Sequence, residues 1–191
     1  MATRPVFIPN VEEGPLVREV DTEFKWHPGF AKIQKRKNIR SLHKSAAKEG
    51  ITPILEISTK SEDPLGKRLS AFNLKAVVNK THEMYVETAY QGSKVFEQGG
   101  PYTDLYDKSP REAKRDPRLH ESGELVGFDL KGDVWKLEPK TAFYNWIYVN
   151  ALHQHHNIQD QIMGFNGFTD IEFNPKKSIN CQARGAALFV A

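Results

Sequence analysis

Met84-Tyr85-Val86-Glu87-Thr88-Ala89-Tyr90-Gln91-Gly92-Ser93-Lys94-Val95-Phe96 is the stretch from which the rest of the chain is read. As a helix it advances about 100° per residue. Glu87, Gln91 and Lys94 then fall at i, i+4 and i+7 on one face, with Tyr90 beside them. An acid, an amide, a phenol and an amine within two turns cover a core poorly and suit the wall of a polar pocket. The competing reading is ordinary, because charges at these separations commonly form a solvated face. Thr81 stands where it can cap the helix, and Glu97-Gln98-Gly99-Gly100-Pro101 breaks it.

Around this stretch lies a globular sequence. Its 191 residues, 39% hydrophobic and 27% charged, suffice for one domain with a real core. A net charge of +3 is compatible with an anionic ligand or nucleic acid and identifies neither. The single cysteine, Cys181, excludes an internal disulfide and a cysteine-built zinc site, and reads as a buried thiol. No apolar run reaches the roughly 18 residues of a membrane span. Met1-Ala2-Thr3-Arg4-Pro5 lacks the apolar core of a signal peptide, so a cytoplasmic protein without membrane contact is expected.

Pro5, Pro9, Pro15 and Pro28 set residues 1–28 apart as an extended N-terminal arm anchored by Phe24 and Trp26. Residues 29–191 follow as a single domain. It opens with a helix over 30–47, stopped by Gly50, that carries Lys32, Lys35, Arg36, Lys37, Arg40 and Lys44, with Lys48 just beyond. This basic segment, Lys32 to Lys48, is either a solvated face or an electrostatic footprint for nucleic acid phosphates. Residues 51–58 read as a buried strand and 76–78 as a second, with a turn at Pro64-Leu65-Gly66 between them. Ser109-Pro110-Arg111-Glu112 joins a hydroxyl cap, a first-position proline and a first-turn acid, the start of a short helix. Residues 125–130 suit a strand or an apolar loop. Pro139 opens the longest helical pattern, up to His156, and a short helix covers 159–165. Residues 169–173 and 186–190 read as strands. The expected class is α+β, mainly helical, with a small β component.

Several chemistries find no support. His153, His155 and His156 offer one pair on a helical face and no H-E-x-x-H pattern, so no metal site is read from them. Gly99-Gly100 lacks the lysine and hydroxyl of a phosphate loop, and no Gly-x-Ser-x-Gly elbow is present. Trp135 and Trp146 can each stack on a planar heterocycle. Trp146 suits the core better, and Trp135 is open to either role.

Taken in order, the segments resemble one family. Leu69-Ser70-Ala71-Phe72, followed by Val86-Glu87-Thr88-Ala89-Tyr90-Gln91-Gly92-Ser93-Lys94-Val95-Phe96, is similar to the S-N-F-like motif and V-E-H-x-Y-Q-x-x-K-F helix of NADAR (YbiA-like) proteins. Ser109-Pro110-Arg111-Glu112-Ala113-Lys114-Arg115 resembles the family's S-P-x-x-A-x-R stretch. A long helix, a short helix and Asp170-Ile171-Glu172 resemble its closing pattern, so the likeness covers residues 65–175. Thr88 stands where the family has histidine, and Asn180-Cys181-Gln182-Ala183-Arg184-Gly185 replaces a tryptophan-glycine tail. Residues 1–64 have no counterpart in this reading.

The resemblance implies a YbiA-like domain that cleaves an N-glycosidic bond, in riboflavin-pathway intermediates or in ADP-ribose attached to guanine. The residues suit that chemistry, since a carboxylate stabilises the oxocarbenium charge that develops on ribose. Glu87 takes that role, and Lys94 acts through an imine with the opened sugar or as a charged partner. Tyr90 and Gln91 orient ribose hydroxyls, Arg111 and Arg115 meet phosphates, and Trp135 or Trp146 stacks on the base. Ser70, Phe72 and Glu172 complete the substrate-binding set. No cofactor and no metal is implied. The partners are an ADP-ribose-type or ribosylated small molecule and nucleic acid through the basic helix. The departures at Thr88 and in the tail motivate the alternative, a non-catalytic module that binds ADP-ribose, a nucleotide or nucleic acid.

Overall fold

In the computed structural model, which describes residues 1–191, the stretch 84–96 divides between the end of a strand, a seven-residue helix and a second strand. The chain runs β1 (Ala2–Pro9), β2 (Val17–Phe24), α1 (Lys32–Lys48), β3 (Ile54–Glu56), α2 (Pro64–Arg68), β4 (Lys75–Val78), β5 (His82–Tyr85) and α3 (Val86–Gly92). Next come β6 (Lys94–Phe96), a 3₁₀ turn (Thr103–Asp107), α4 (Pro110–Lys114), α5 (Arg118–Glu121), β7 (Leu125–Leu130) and β8 (Asp133–Lys136). The chain closes with α6 (Ala142–His153), α7 (His156–Ile162), β9 (Gly167–Thr169) and α8 (Gln182–Val190). The class is α+β, at 37% helix and 23% strand, so the expected mainly helical character does not hold. No helix is long and apolar enough to cross a membrane.

Two compact units form, one from Met1–Ser70 with His155–Ala191 and one from Ala71–Gln154. The first contains a four-stranded sheet in the order β2-β1-β9-β3. Residues 1–28 are not an extended arm. β1 and β2 pair antiparallel along their length, from Ala2↔Phe24 to Pro9↔Val17. The prolines permit this because β1 meets β9 at Phe7↔Phe168, away from Pro5 and Pro9. Phe24 and Trp26 do anchor the segment, Phe24 fully buried and Trp26 edge-on to it. On α1, Ile39, Leu42 and Ala46 turn toward Val6, Phe24 and Ile171, which leaves the basic residues outside.

Three further expectations in this unit are corrected. Asp63-Pro64 makes a helix start and not a turn, because the Asp63 carboxylate accepts the Leu65 N–H at 2.8 Å and Pro64 needs no donor. The strand expected at 169–173 stops at Thr169, where a turn closes from the Phe173 N–H to the Asp170 carbonyl at 3.1 Å. The strand expected at 186–190 is α8, since Ala183, Ala186 and Ala187 form a small buried helical face.

In the second unit β4 and β5 make a hairpin and β6-β7-β8 an antiparallel meander. α3 packs against β5, the 3₁₀ turn, α4 and α6. Its first turn is tied down by the Val86 and Glu87 N–H groups, which donate to the Leu74 and Ala71 carbonyls at 2.9 and 3.0 Å. Thr81 is not its cap, because His82–Tyr85 is strand. The helix stops at Ser93 for two reasons. Gly92 lies so close to the Tyr106 ring that a Cβ would come within 2.6 Å of it. The Ser93 carbonyl accepts the Asp129 N–H at 2.7 Å, which starts β6 beside β7.

Candidate active site

Burial decides between the two readings of the opening stretch. In α3, Val86, Glu87, Thr88, Ala89, Gln91 and Gly92 are all buried, so this is no solvated face. Glu87 is only 5% exposed. Its Oε1 accepts the Gln91 Nε2–H at 2.9 Å, the i, i+4 contact that the spacing anticipates. Gln91 Oε1 is buried with no hydrogen-bond partner. Thr88, where the family motif has histidine, is fully buried and donates its hydroxyl to the Tyr85 carbonyl at 3.0 Å.

Lys94 does not lie on the helix. It is the first residue of β6, yet it stays at the site because the chain turns at Ser93. Its Nζ stands 4.8 Å above the centre of the Tyr90 ring, a cation–π distance. Burial pushes the Lys94 amine down to about 8, opposed by the charge of Glu87 and assisted by that of Lys114. Tyr90 is held in an aromatic cluster, with ring centres 5.6 Å from Phe128, 6.4 Å from Phe143 and 5.2 Å from Tyr144, the last edge-on.

The capping box of α4 forms as its sequence predicts, with Ser109 and Glu112 satisfying each other's backbone N–H groups. The residue it delivers is Lys114, which the sequence reading missed. Lys114 Nζ lies 3.7 Å from Glu87 Oε1 and 5.3 Å from the centre of the Phe72 ring. The available signal was Ala113, whose burial in the Phe96, Leu105 and Leu119 cluster sets the direction of its neighbour. Arg111 and Arg115, expected to meet phosphates, are exposed on the same short helix.

Trp135, in β8, and Trp146, in α6, pack on each other at 5.1 Å, and Trp135 also lies 5.7 Å from Phe143. The core reading of Trp146 is overturned: it is 38% exposed. Trp135 is the more enclosed of the two, with its indole N–H buried and unpartnered. The second unit therefore brings together Glu87, Gln91, Tyr90, Lys94, Lys114 and Phe72, and joins the tryptophans to Phe143 and so to Tyr90.

Ser70 and Glu172 belong to the first unit. Ser70 is buried two residues past the end of α2, and Glu172 is exposed and pairs with Lys35 at 3.3 Å. This unit also buries a polar group of its own. Glu56 accepts the Thr169 hydroxyl at 2.6 Å and the Ile171 N–H at 2.9 Å, and burial raises its carboxyl. Burial and then the charge of Glu56 push Asp170 up to about 8. Cys181 is buried, as expected, and burial pushes its thiol up.

A family model described as a DarT1-associated NADAR antitoxin matches residues 2–191. That match takes in residues 1–64, where the motif reading found no counterpart. A comparison with curated proteins finds no match.

Proposed function

Because the chain belongs to the DarT1-associated NADAR antitoxin family, which is glycosidase-like, we propose that it hydrolyses the ribosyl–nitrogen bond joining ADP-ribose to a guanine base. DNA is the favoured carrier of that base, since the DarT1 system links the family with ADP-ribosylated DNA. The observation that carries the reading is a buried carboxylate, Glu87, in the electrostatic reach of an amine that burial holds at about 8. Perturbed ionisable groups of this kind concentrate at sites of chemistry.

In the proposed mechanism Glu87 stabilises the positive charge that develops on the ribose as the bond to nitrogen lengthens. Gln91 holds one of its oxygens through a hydrogen bond, and the other faces the ribose hydroxyls. With a pKa of about 8, roughly a tenth of Lys94 is neutral at pH 7. That neutral amine adds to C1 as the bond to the guanine nitrogen breaks, and the departing nitrogen takes one of the amine's two protons; the other passes to the ring oxygen as the C1–O bond opens, which leaves the imine. Water then hydrolyses the imine, which returns the aldehyde and the free amine. Lys114 sits at the exposed edge of the site, where a cation meets the phosphates of ADP-ribose, a role first expected of Arg111 and Arg115. Trp135 and Trp146 offer aromatic surface to the base.

Reductive trapping tests this reading. An oligonucleotide carrying ADP-ribosylated guanine is incubated with the protein and cyanoborohydride, and tryptic peptides are weighed. The expected result is an ADP-ribose-sized addition on the peptide containing Lys94, absent from Lys94→Ala and strongly reduced in Glu87→Gln. Turnover with no adduct, or an adduct of equal yield in all three proteins, contradicts the assignment.

A further inference from the structure

α1 carries seven cations in seventeen residues and no acid. A helix that is merely solvated commonly alternates its charges at i and i+4. Here Lys32, Arg36, Arg40, Lys44 and Lys48 follow one another at that interval, so like charges repel along the ridge. The first turns are basic as well, against the positive end of the helix dipole. Local helix stability accounts for neither feature.

The neighbouring acids neutralise only part of this charge. Glu62 takes Arg40 in a two-pronged pair at 2.7 and 2.6 Å, and Glu172 takes Lys35 at 3.3 Å. Lys32, Lys37, Lys44 and Lys48 are exposed, and no carboxylate stands within 4 Å of them. Arg36 keeps a buried Nε–H without a partner. Seventeen residues at about 1.5 Å each make a ridge of roughly 25 Å, long enough to follow several phosphates of one strand. No aromatic residue interrupts the helix, so backbone charge is what it can recognise, and base stacking is not.

We infer that the outer face of α1 binds the phosphodiester backbone of the DNA strand that carries the modified base, through Lys32, Lys37, Lys44 and Lys48. The choice of DNA rests on the function proposed above. The charge geometry is independent of it.

The test uses the full-length chain and an unmodified fluorescent single-stranded oligonucleotide, with affinity measured across a salt series. One variant carries Lys32→Gln, Lys37→Gln, Lys44→Gln and Lys48→Gln. A control removes equal charge elsewhere with Lys80→Gln, Lys140→Gln, Lys176→Gln and Lys177→Gln, and circular dichroism checks that both fold. Wild type and control are expected to share a steep logarithmic salt dependence, and the α1 variant a slope shallower by about 3, at about 0.7 per lost contact. ADP-ribosylated guanosine, which has no phosphodiester strand for α1 to hold, is expected to turn over alike in all three. A wild-type slope in the α1 variant, an equal loss in the control, or no DNA binding by the wild type overturns the proposal. Failure to turn over the small substrate refutes the proposed function instead and leaves the DNA measurement standing.

Discussion

At Lys94 the requirements of chemistry and of stability pull in opposite directions. A buried amine at about 8 is a usable nucleophile near neutral pH, and the same burial makes its charged form unfavourable in the folded chain. The Tyr90 ring returns only about 0.5–1 kcal/mol of that cost. Lys94→Met is therefore predicted to stabilise the protein at pH 7 by about 1–3 kcal/mol while abolishing turnover. The sign of the pH dependence follows from the lowered pKa. The unfolded chain holds the Lys94 proton more tightly, so wild-type stability at this residue is reduced below about 8 and recovers toward the ordinary value of 10.5. Urea unfolding of both proteins at pH 7 and pH 10 checks this. A gap that fails to narrow at pH 10 contradicts the buried charge.

At the scale of the element, α3 serves the site by stopping early. Gly92 and Ser93 end it against Tyr106, whose hydroxyl lies 3.1 Å from Ser93 Oγ, and Lys94 then enters β6 beside the helix that holds Glu87. In an open helix Gly92→Ala gains close to 1 kcal/mol from propensity. Here the added carbon meets a ring held by Ser93 and by the Asp129 carbonyl, and overpacking costs about 1–3 kcal/mol. The net prediction is a lower unfolding temperature and a larger loss of activity than of fold, read by melting and turnover together. A variant as stable and active as wild type would show that Tyr106 yields freely. Sequence alone assigns Glu87 and Gln91 to one face because that contact is local. It misplaces Lys94 on the same helix because Tyr106 and Asp129, which end α3, are distant in the chain. The α4 capping box is legible for the first reason, and Lys114 escapes notice for the second.

For the molecule as a whole, the α+β class and the family were legible, the latter from the order of segments across residues 65–175. The β1–β2 hairpin was not, because prolines in an isolated sequence argue against a strand and the pairing partner that outweighs them is not visible. The tail was misread for a similar reason: a short run of alanine, leucine and valine suits strand or helix until its neighbours show which face is covered. Trp146 suits the core in sequence because most of α6 is apolar, and only the packing shows which side stays open. In the proposed function Glu87 and Lys94 together cleave ADP-ribose from guanine. The most direct measurement of this is the mass-spectrometric yield of free ADP-ribose from guanine-modified DNA treated with wild type, Glu87→Gln and Lys94→Ala. The predicted result is release by wild type and a loss of about a hundredfold or more in each variant, at unchanged circular dichroism. Equal release by all three proteins would contradict it.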